Sequence, residues 1–267
     1  MPISFPGVSP VLTGAWNRIA AARRRLLMLD YDGTLAPLRV ERDRAVPERR
    51  TREALQAIAV LHEPVVVISG RPVEQLRVML DQLPVTMVGE HGWEQGEPGA
   101  PVVQHALPDD TAARLELARR AALAAGWKDQ VEAKRTSIVL HTRGLAPARA
   151  AALERDGRTL WGRHERDGVW LEPVDGGLEL RAAGRGKGEV AWELMQREPA
   201  GTLPVFIGDD ATDEQAFRVL RPHGVTIRVG RPHMPTAAEW RLATPDDVTS
   251  FLLNWPVVVT GSPSWPR

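Results

Sequence analysis

Cysteine is absent from the 267-residue chain. That removes disulfides, thiolate nucleophiles, zinc–thiolate sites and iron–sulfur clusters together, and it fits a cytoplasmic setting. Net charge is absent as well: 34 basic residues balance 34 acidic ones, so no global basic field points to nucleic acid or an anionic membrane as a partner. No stretch reaches the roughly 20 apolar residues needed to span a bilayer. The first residues, Met1 to Asn17, contain no continuous apolar signal segment. Internal repeats and low-complexity segments are missing too. Lysine is nearly so: Lys128, Lys134 and Lys187 are three among 34 basic residues. In so arginine-rich a chain, a retained lysine is a candidate for a position where a compact ammonium serves and a planar guanidinium does not.

What is present is enough for a sizeable core, with 43% apolar and 25% charged residues. The apolar run Leu26–Leu29 leads directly into Asp30-Tyr31-Asp32-Gly33-Thr34-Leu35: a short buried strand ending in two carboxylates and a glycine turn. Carboxylates there are costly unless something positive meets them. Before this run, residues 15–25 read as a helix with Arg23-Arg24-Arg25 at its C-terminal end. After it, Pro47 to His62 reads as a helix, Val65 to Ile68 as a strand buried on both faces, Pro72 as the opening of another helix, and Val85 to Val88 as a third strand. A Gly/Pro-rich segment, Gly96 to Pro101, has linker character. A helix from about 110 to 125, strands at 130–133 and 137–141, a helix around 146–162 and strands around 169–172 and 178–181 form a second pattern. The first pattern then returns: helix Lys187–Met195, strand Pro204–Ile207, helix Asp213–Leu220, strand Val225–Val229, helix 246–254, and a tail after Trp255 expected to be loosely ordered. The expected organisation is an α/β domain with a mainly parallel sheet over 1–97 and 182–267, interrupted by a small α+β domain over 98–181.

In open parallel sheets, ligands sit outside the carboxyl ends of the strands. Three strands end in polar groups there: Leu29 into Asp30, Ile68 into Ser69, and Ile207 into Gly208-Asp209-Asp210. Asp30, Asp32 and Asp209 offer hard oxygen donors suited to Mg²⁺, with no His or Cys to favour zinc. Side chains alternate along a strand, so Asp30 and Asp32 can point the same way, one to attack and the other to move protons. Phosphoryl transfer needs charge neutralisation and alignment, for which Ser69 supplies a hydroxyl and Lys187, at a glycine-flanked helix start, a cation. Asp213 either caps the helix that follows, holds a metal-bound water, or orients Lys187. Each residue alone has an ordinary structural reading; their joint order along the chain gives the pattern its weight.

Four segments together resemble the haloacid dehalogenase superfamily: Asp30–Leu35 its first motif, Ser69 its second, Lys187 its third, and Gly208-Asp209-Asp210-Ala211-Thr212-Asp213 its fourth. Three narrower segments are similar to those of trehalose-6-phosphate phosphatases: Asp209–Glu214 with Phe217; Glu132, Lys134, Ser137, His141 and Arg143; and Leu178-Glu179-Leu180-Arg181 leading to Lys187-Gly188. The residue after His141 is Thr142, where that family often has tyrosine. The resemblance implies a Rossmann-like core with an inserted cap of the C2 type, and an Mg²⁺-dependent phosphatase acting on a small sugar phosphate. It implies Asp30 as nucleophile and Asp32 as acid and base, and metal binding through Asp30, the Asp32 carbonyl and Asp209. Ser69 and Lys187 would hold phosphoryl oxygens with help from backbone amides at Gly33 and Gly70. Asp210 and Asp213 would stand behind the metal ligands, and Glu132, Lys134, Arg143 and Glu179 would meet the sugar hydroxyls. A monomer is expected, with a separate trehalose-phosphate synthase as its pathway partner. Other sugar phosphatases of the superfamily, acting on sucrose, mannosylglycerate or glucosylglycerol phosphates, and a non-catalytic sugar-phosphate sensor stay open as alternatives.

Overall fold

A computed structural model describes residues 12–165, 168–174 and 176–261. It divides into two compact units, residues 1–103 with 187–267, and residues 104–186. The expected 181/182 boundary falls inside a strand of the second unit, Gly177–Ala182.

The first unit is built on β1 (Arg25–Asp30), β2 (Val65–Ile68), β3 (Thr86–Gly89), β4 (Glu94–Gly96), β5 (Val103–Gln104), β10 (Leu203–Gly208), β11 (Val225–Val229) and β12 (Trp240–Leu242). Their order is β12-β11-β10-β1-β2-β3-β4-β5. Pairing is parallel from β12 through β3, and β4 runs antiparallel to β3. Alternation along β1 explains why its whole run is apolar. Leu27 and Leu29 face α1 (Thr13–Ala21), α2 (Arg49–Val60), α3 (Val73–Met79) and α8 (Pro245–Thr260), while Leu26 and Met28 face α6 (Lys187–Arg197) and α7 (Asp213–Leu220). A strand covered on both sides has no polar face to spare, and each such side chain contributes about 1.5–3 kcal/mol of burial.

Several elements differ from the sequence expectation. Helix α1 stops at Ala21, and Arg25 belongs to β1. Its guanidinium turns back to donate to Ile19 O (2.7 Å) and Ala22 O (2.6 Å), so the helix end still receives its positive charge, from a strand residue. Strands β4 and β12 are short and carry polar residues, and they escape a search for apolar runs. Helix α8 does not end near Asn254. It continues through Pro256 to Thr260, because Trp255, Pro256 and Val258 are buried in the core, which outweighs the backbone bond proline cannot make. Residues 262–267 of the expected loose tail, and Met1–Val11 of the N-terminal segment, lie outside the described residues. No helix among the described residues is long and apolar enough to cross a membrane.

The second unit is an antiparallel sheet, β6 (Val131–Ala133), β7 (Ser137–His141), β9 (Gly177–Ala182) and β8 (Val169–Val174) in spatial order, with helices α4 (Asp109–Ala124) and α5 (Pro147–Gly162). Ile138, Leu140, Leu178 and Leu180 pack with Leu115, Ala118 and Trp161 of the helices. The Trp161 indole donates to Ala118 O at 3.2 Å.

Candidate active site

The carboxyl ends of β1, β2 and β10 are neighbours in the sheet. They bring Asp30, Ser69 and Asp209 to one edge of the first unit, where α6 adds Lys187. The Lys187 side chain is buried, with Nζ 2.6 Å from Asp30 Oδ1, 2.7 Å from Asp213 Oδ1 and 3.8 Å from Asp210 Oδ1. Burial alone would lower its proton affinity. The carboxylates of Asp210, Asp213 and Asp30 outweigh that and hold the ammonium well above the usual lysine range.

The Asp213 carboxylate is fully engaged. Oδ1 takes Lys187, and Oδ2 accepts from the amides of Asp209 and Asp210, both at 2.9 Å. Of the three readings open from sequence, orienting Lys187 is the one with direct contacts. Asp210 folds back over the start of α7, accepting from Thr212 N, Thr212 Oγ1 and Asp213 N. Burial pushes its carboxyl up, but the Lys187 ammonium and the Thr212 and Asp213 donors bring it down to about 2.

Two carboxylate oxygens remain over. Asp30 Oδ2 and Asp209 Oδ1 are buried with no hydrogen-bond partner. Burial, opposed for Asp30 by Lys187, raises both carboxyls above the ordinary range, and neighbouring carboxylates add to the rise. Among the described residues, oxygens of Asp30, Asp209 and Asp213 all lie within 4.8 Å of one another. Mutually repelling carboxylates, two of them with an unsatisfied oxygen and none beside a nitrogen or sulfur ligand, are the surroundings that suit a small hard cation.

Asp32 has a different partner from Asp30. Its carboxylate lies in the fork of Arg71, with Nε–Oδ2 and Nη2–Oδ1 both 2.7 Å, while Asp30 is held by Lys187. Ser69 Oγ accepts from the Arg71 amide at 3.1 Å and keeps its own proton to donate. Gly33 needs correction as an amide donor, because its N–H is taken by Ala36 O at 2.8 Å. Its part is steric. At φ +79° it adopts a conformation that favours glycine, and a Cβ there would stand 2.1 Å from Asp209 Oδ2. At Gly208 a Cβ would meet the Asp213 carboxylate at 2.3–2.7 Å. At Gly70 it would meet the His91 ring at 2.7 Å.

Sequence reasoning missed Arg71. It also missed Arg228 on β11, whose guanidinium donates to Asp209 O (2.7 Å), Asp210 O (3.2 Å) and Glu214 Oε1 (2.7 Å). Glu214 in turn accepts from Ala237 N. This network fixes the backbone of the loop that carries Asp209. His91, and Glu90 before it, carry no signal in the sequence pattern. Both adopt positive φ, 57° and 46°, and His91 N donates to Ser69 O. The only sequence signal for Arg228 was a charge inside an otherwise apolar strand.

In the second unit, strand register places Glu132 and Glu179 on either side of Val139, on the face opposite the core. His141 Nε2 lies 2.9 Å from Glu132 Oε2, and Lys134 Nζ lies 3.8 Å from Glu179 Oε1. Arg181 forms a bidentate pair with Glu172. Arg143 lies past the end of β7, where a Cβ on Gly176 would be 2.9 Å from its own Cβ. The departure at Thr142 has its own contact: the hydroxyl donates to Glu154 Oε1 of α5 at 2.8 Å.

Comparison with known proteins agrees with this arrangement. Residues 28–246 match the sequence profile of the trehalose-phosphatase family. The chain is 32% identical over 231 residues to the trehalose-6-phosphate phosphatase of Escherichia coli (strain K12), covering 84% of this chain and 83% of that one. It is 31% identical over 247 residues to the trehalose-phosphate phosphatase of Mycobacterium tuberculosis (strain H37Rv), covering 86% of this chain but 61% of that longer protein. Among solved structures, Aspergillus fumigatus trehalose-6-phosphate phosphatase matches with a TM-score of 0.65 at 26% identity, over 97% of this chain and all of that one. The C-terminal domain of the Candida albicans enzyme shares the fold with a TM-score of 0.79 at 21% identity, over 96% and 99% of the two chains. With its motif residues gathered at one sheet edge and its profile matched over most of its length, the chain belongs to the trehalose-phosphatase family of phosphatases with a haloacid dehalogenase-like fold.

Proposed function

We propose that this phosphatase hydrolyses trehalose 6-phosphate to trehalose and phosphate through an aspartyl-phosphate on Asp30. The observation that carries this reading is the buried Asp30–Lys187–Asp213 array beside Asp209, with carboxylate oxygens of Asp30 and Asp209 left without hydrogen bonds. A carboxylate of Asp30 attacks phosphorus and the bond from phosphorus to the sugar oxygen breaks. Asp32 gives that oxygen its proton, and trehalose leaves. Asp32 then takes a proton from water as the water attacks phosphorus, the bond to Asp30 breaks, and phosphate is released. Lys187 and Ser69 hold the phosphoryl oxygens through both steps. Asp30, the Asp32 backbone carbonyl and Asp209 would hold Mg²⁺, which when bound neutralises charge on the phosphoryl group. Glu132, Lys134, Arg143 and Glu179 are proposed to recognise the sugar hydroxyls, so that remote contacts select the substrate.

The test is phosphate release from a panel of trehalose, sucrose, mannosylglycerate and glucosylglycerol phosphates, with and without Mg²⁺. Release from trehalose 6-phosphate with Mg²⁺ should exceed the others, and Glu132→Gln and Glu179→Gln should raise KM for that substrate selectively. A preference for another sugar phosphate would overturn the substrate assignment. No release from any would leave only the sensor alternative.

Metal binding has its own readout. Asp30 and Asp209 carry raised carboxyl values in the fold. The stability they contribute is therefore full below the ordinary carboxylate value and is lost as pH rises through the raised ones. Mg²⁺ binds the ionised folded form and restores it. The rise in Tm on adding Mg²⁺ should accordingly be larger at about pH 7.5 than at about pH 5, and Asp209→Asn should remove it. An equal rise at both pH values, surviving in that variant, would place the metal elsewhere.

A further inference from the structure

Arg71 is 1% exposed. A buried guanidinium needs an anionic partner, and Arg71 meets one in a fork-to-fork geometry, both bonds to Asp32 being 2.7 Å. Arg71 is itself held from several sides. Its Nη2 also donates to Arg42 O at 3.0 Å, its Nη1 lies 3.5 Å from Met79 Sδ, and its guanidinium carbon lies 5.4 Å from the Tyr31 ring centre. Its amide donates to Ser69 Oγ, and its carbonyl accepts from Glu90 N at 3.0 Å. One residue thus ties the end of β2, the β3 turn and the 42–44 segment to a single carboxylate.

We propose that Arg71 is the positioning residue of Asp32, fixing the rotamer in which that carboxylate meets the leaving sugar oxygen and then water. The proposal rests on Asp32 being the acid and base. The Asp32 side chain is 29% exposed, and without the fork it would be free to change χ1. Acid–base catalysis instead requires the group within hydrogen-bond reach of its proton partner. The fork uses one acceptor site on each oxygen and leaves the others open to water or substrate. A lysine at position 71 would offer a point charge on a flexible stem, with no second prong to set the plane of the carboxylate.

The experiment uses Arg71→Gln and Arg71→Lys in the full chain, with kcat, KM, Tm and a crystal structure of each. Arg71→Gln should lower kcat on trehalose 6-phosphate by about 10²-fold with KM within about threefold, the scale of a misplaced acid–base group. Arg71→Lys should recover about tenfold of that loss. The Asp32 carboxylate should occupy a new or divided rotamer in both, while Asp30 keeps its contact with Lys187. Arg71→Lys keeps the buried charge and serves should Arg71→Gln not fold. A kcat within twofold of the parent, an unmoved Asp32, or a loss of kcat matched by an equal rise in KM and a fall in Tm would reduce Arg71 to a packing residue. Should the parent enzyme release no phosphate at all, the functional reading fails by itself, and the Asp32 rotamer still decides whether Arg71 positions it.

Discussion

Asp30→Asn is expected to lose phosphate release by at least about 10⁴-fold, the scale on which removal of a nucleophile falls, while melting no lower than the parent when no divalent cation is present. The amide keeps the shape of the side chain and removes the attacking carboxylate. It also removes one negative charge from a buried group in which Asp30, Asp209, Asp210 and Asp213 repel one another. Lys187 is not orphaned, because Asp213 stays 2.7 Å from its ammonium. Phosphate release and a melting curve in chelator-treated buffer measure the two halves of the expectation. Activity within tenfold of the parent would show that Asp30 is not the nucleophile. A lower melting point would show that the Lys187–Asp30 contact is worth more to the fold than the repulsion it sits among.

Lys187→Met should act in the opposite sense on stability. It deletes the cation about which Asp30, Asp213 and Asp210 are arranged, and breaking a buried ion pair from one side costs about 3–5 kcal/mol because the remaining charges stay uncompensated. Methionine fills much of the volume, so packing loss is a small part of the effect. Urea denaturation reads it as a lower midpoint, accompanied by loss of activity. An unchanged midpoint would mean that water or counter-ions reach these carboxylates freely. Asp30→Asn and Lys187→Met open the same 2.6 Å contact from its two ends. Their expected opposite effects on the metal-free fold separate a site held together by its cation from one held together by its carboxylates.

How much of this was legible beforehand depended on what each segment asks of its residues. Strands β1, β2 and β10 must be apolar on both faces, so they announced themselves as continuous runs, and the residues directly after them were the chemistry. Helix α7 was legible to its ends, Asp213 and Leu220. The short strands β4 and β12 carry no such demand and gave no signal. In α8, proline reads as a stop unless tertiary burial outweighs it, which no local pattern shows. Lys187 stood out because lysine is rare here. Arg71 did not, because arginine is common, and only the three-dimensional pairing with Asp32, 39 positions away, distinguishes it from the surface arginines. Gly33 was singled out for its amide, whereas its missing side chain is what the site uses.

That last point bears on how such a site can change over generations. Gly208 needs no left-handed backbone, so its conformation does not explain its identity; the Asp213 carboxylate within 2.3–2.7 Å of a would-be Cβ does. Gly33 is closed in the same manner by Asp209. The smallest available replacement, a single methyl, is therefore barred at one position beside Asp209 in sequence and at one facing it in space. Neighbouring sequences reachable in one step keep both glycines or lose the carboxylate geometry together with them. Divergence of the chemistry is confined to concerted changes.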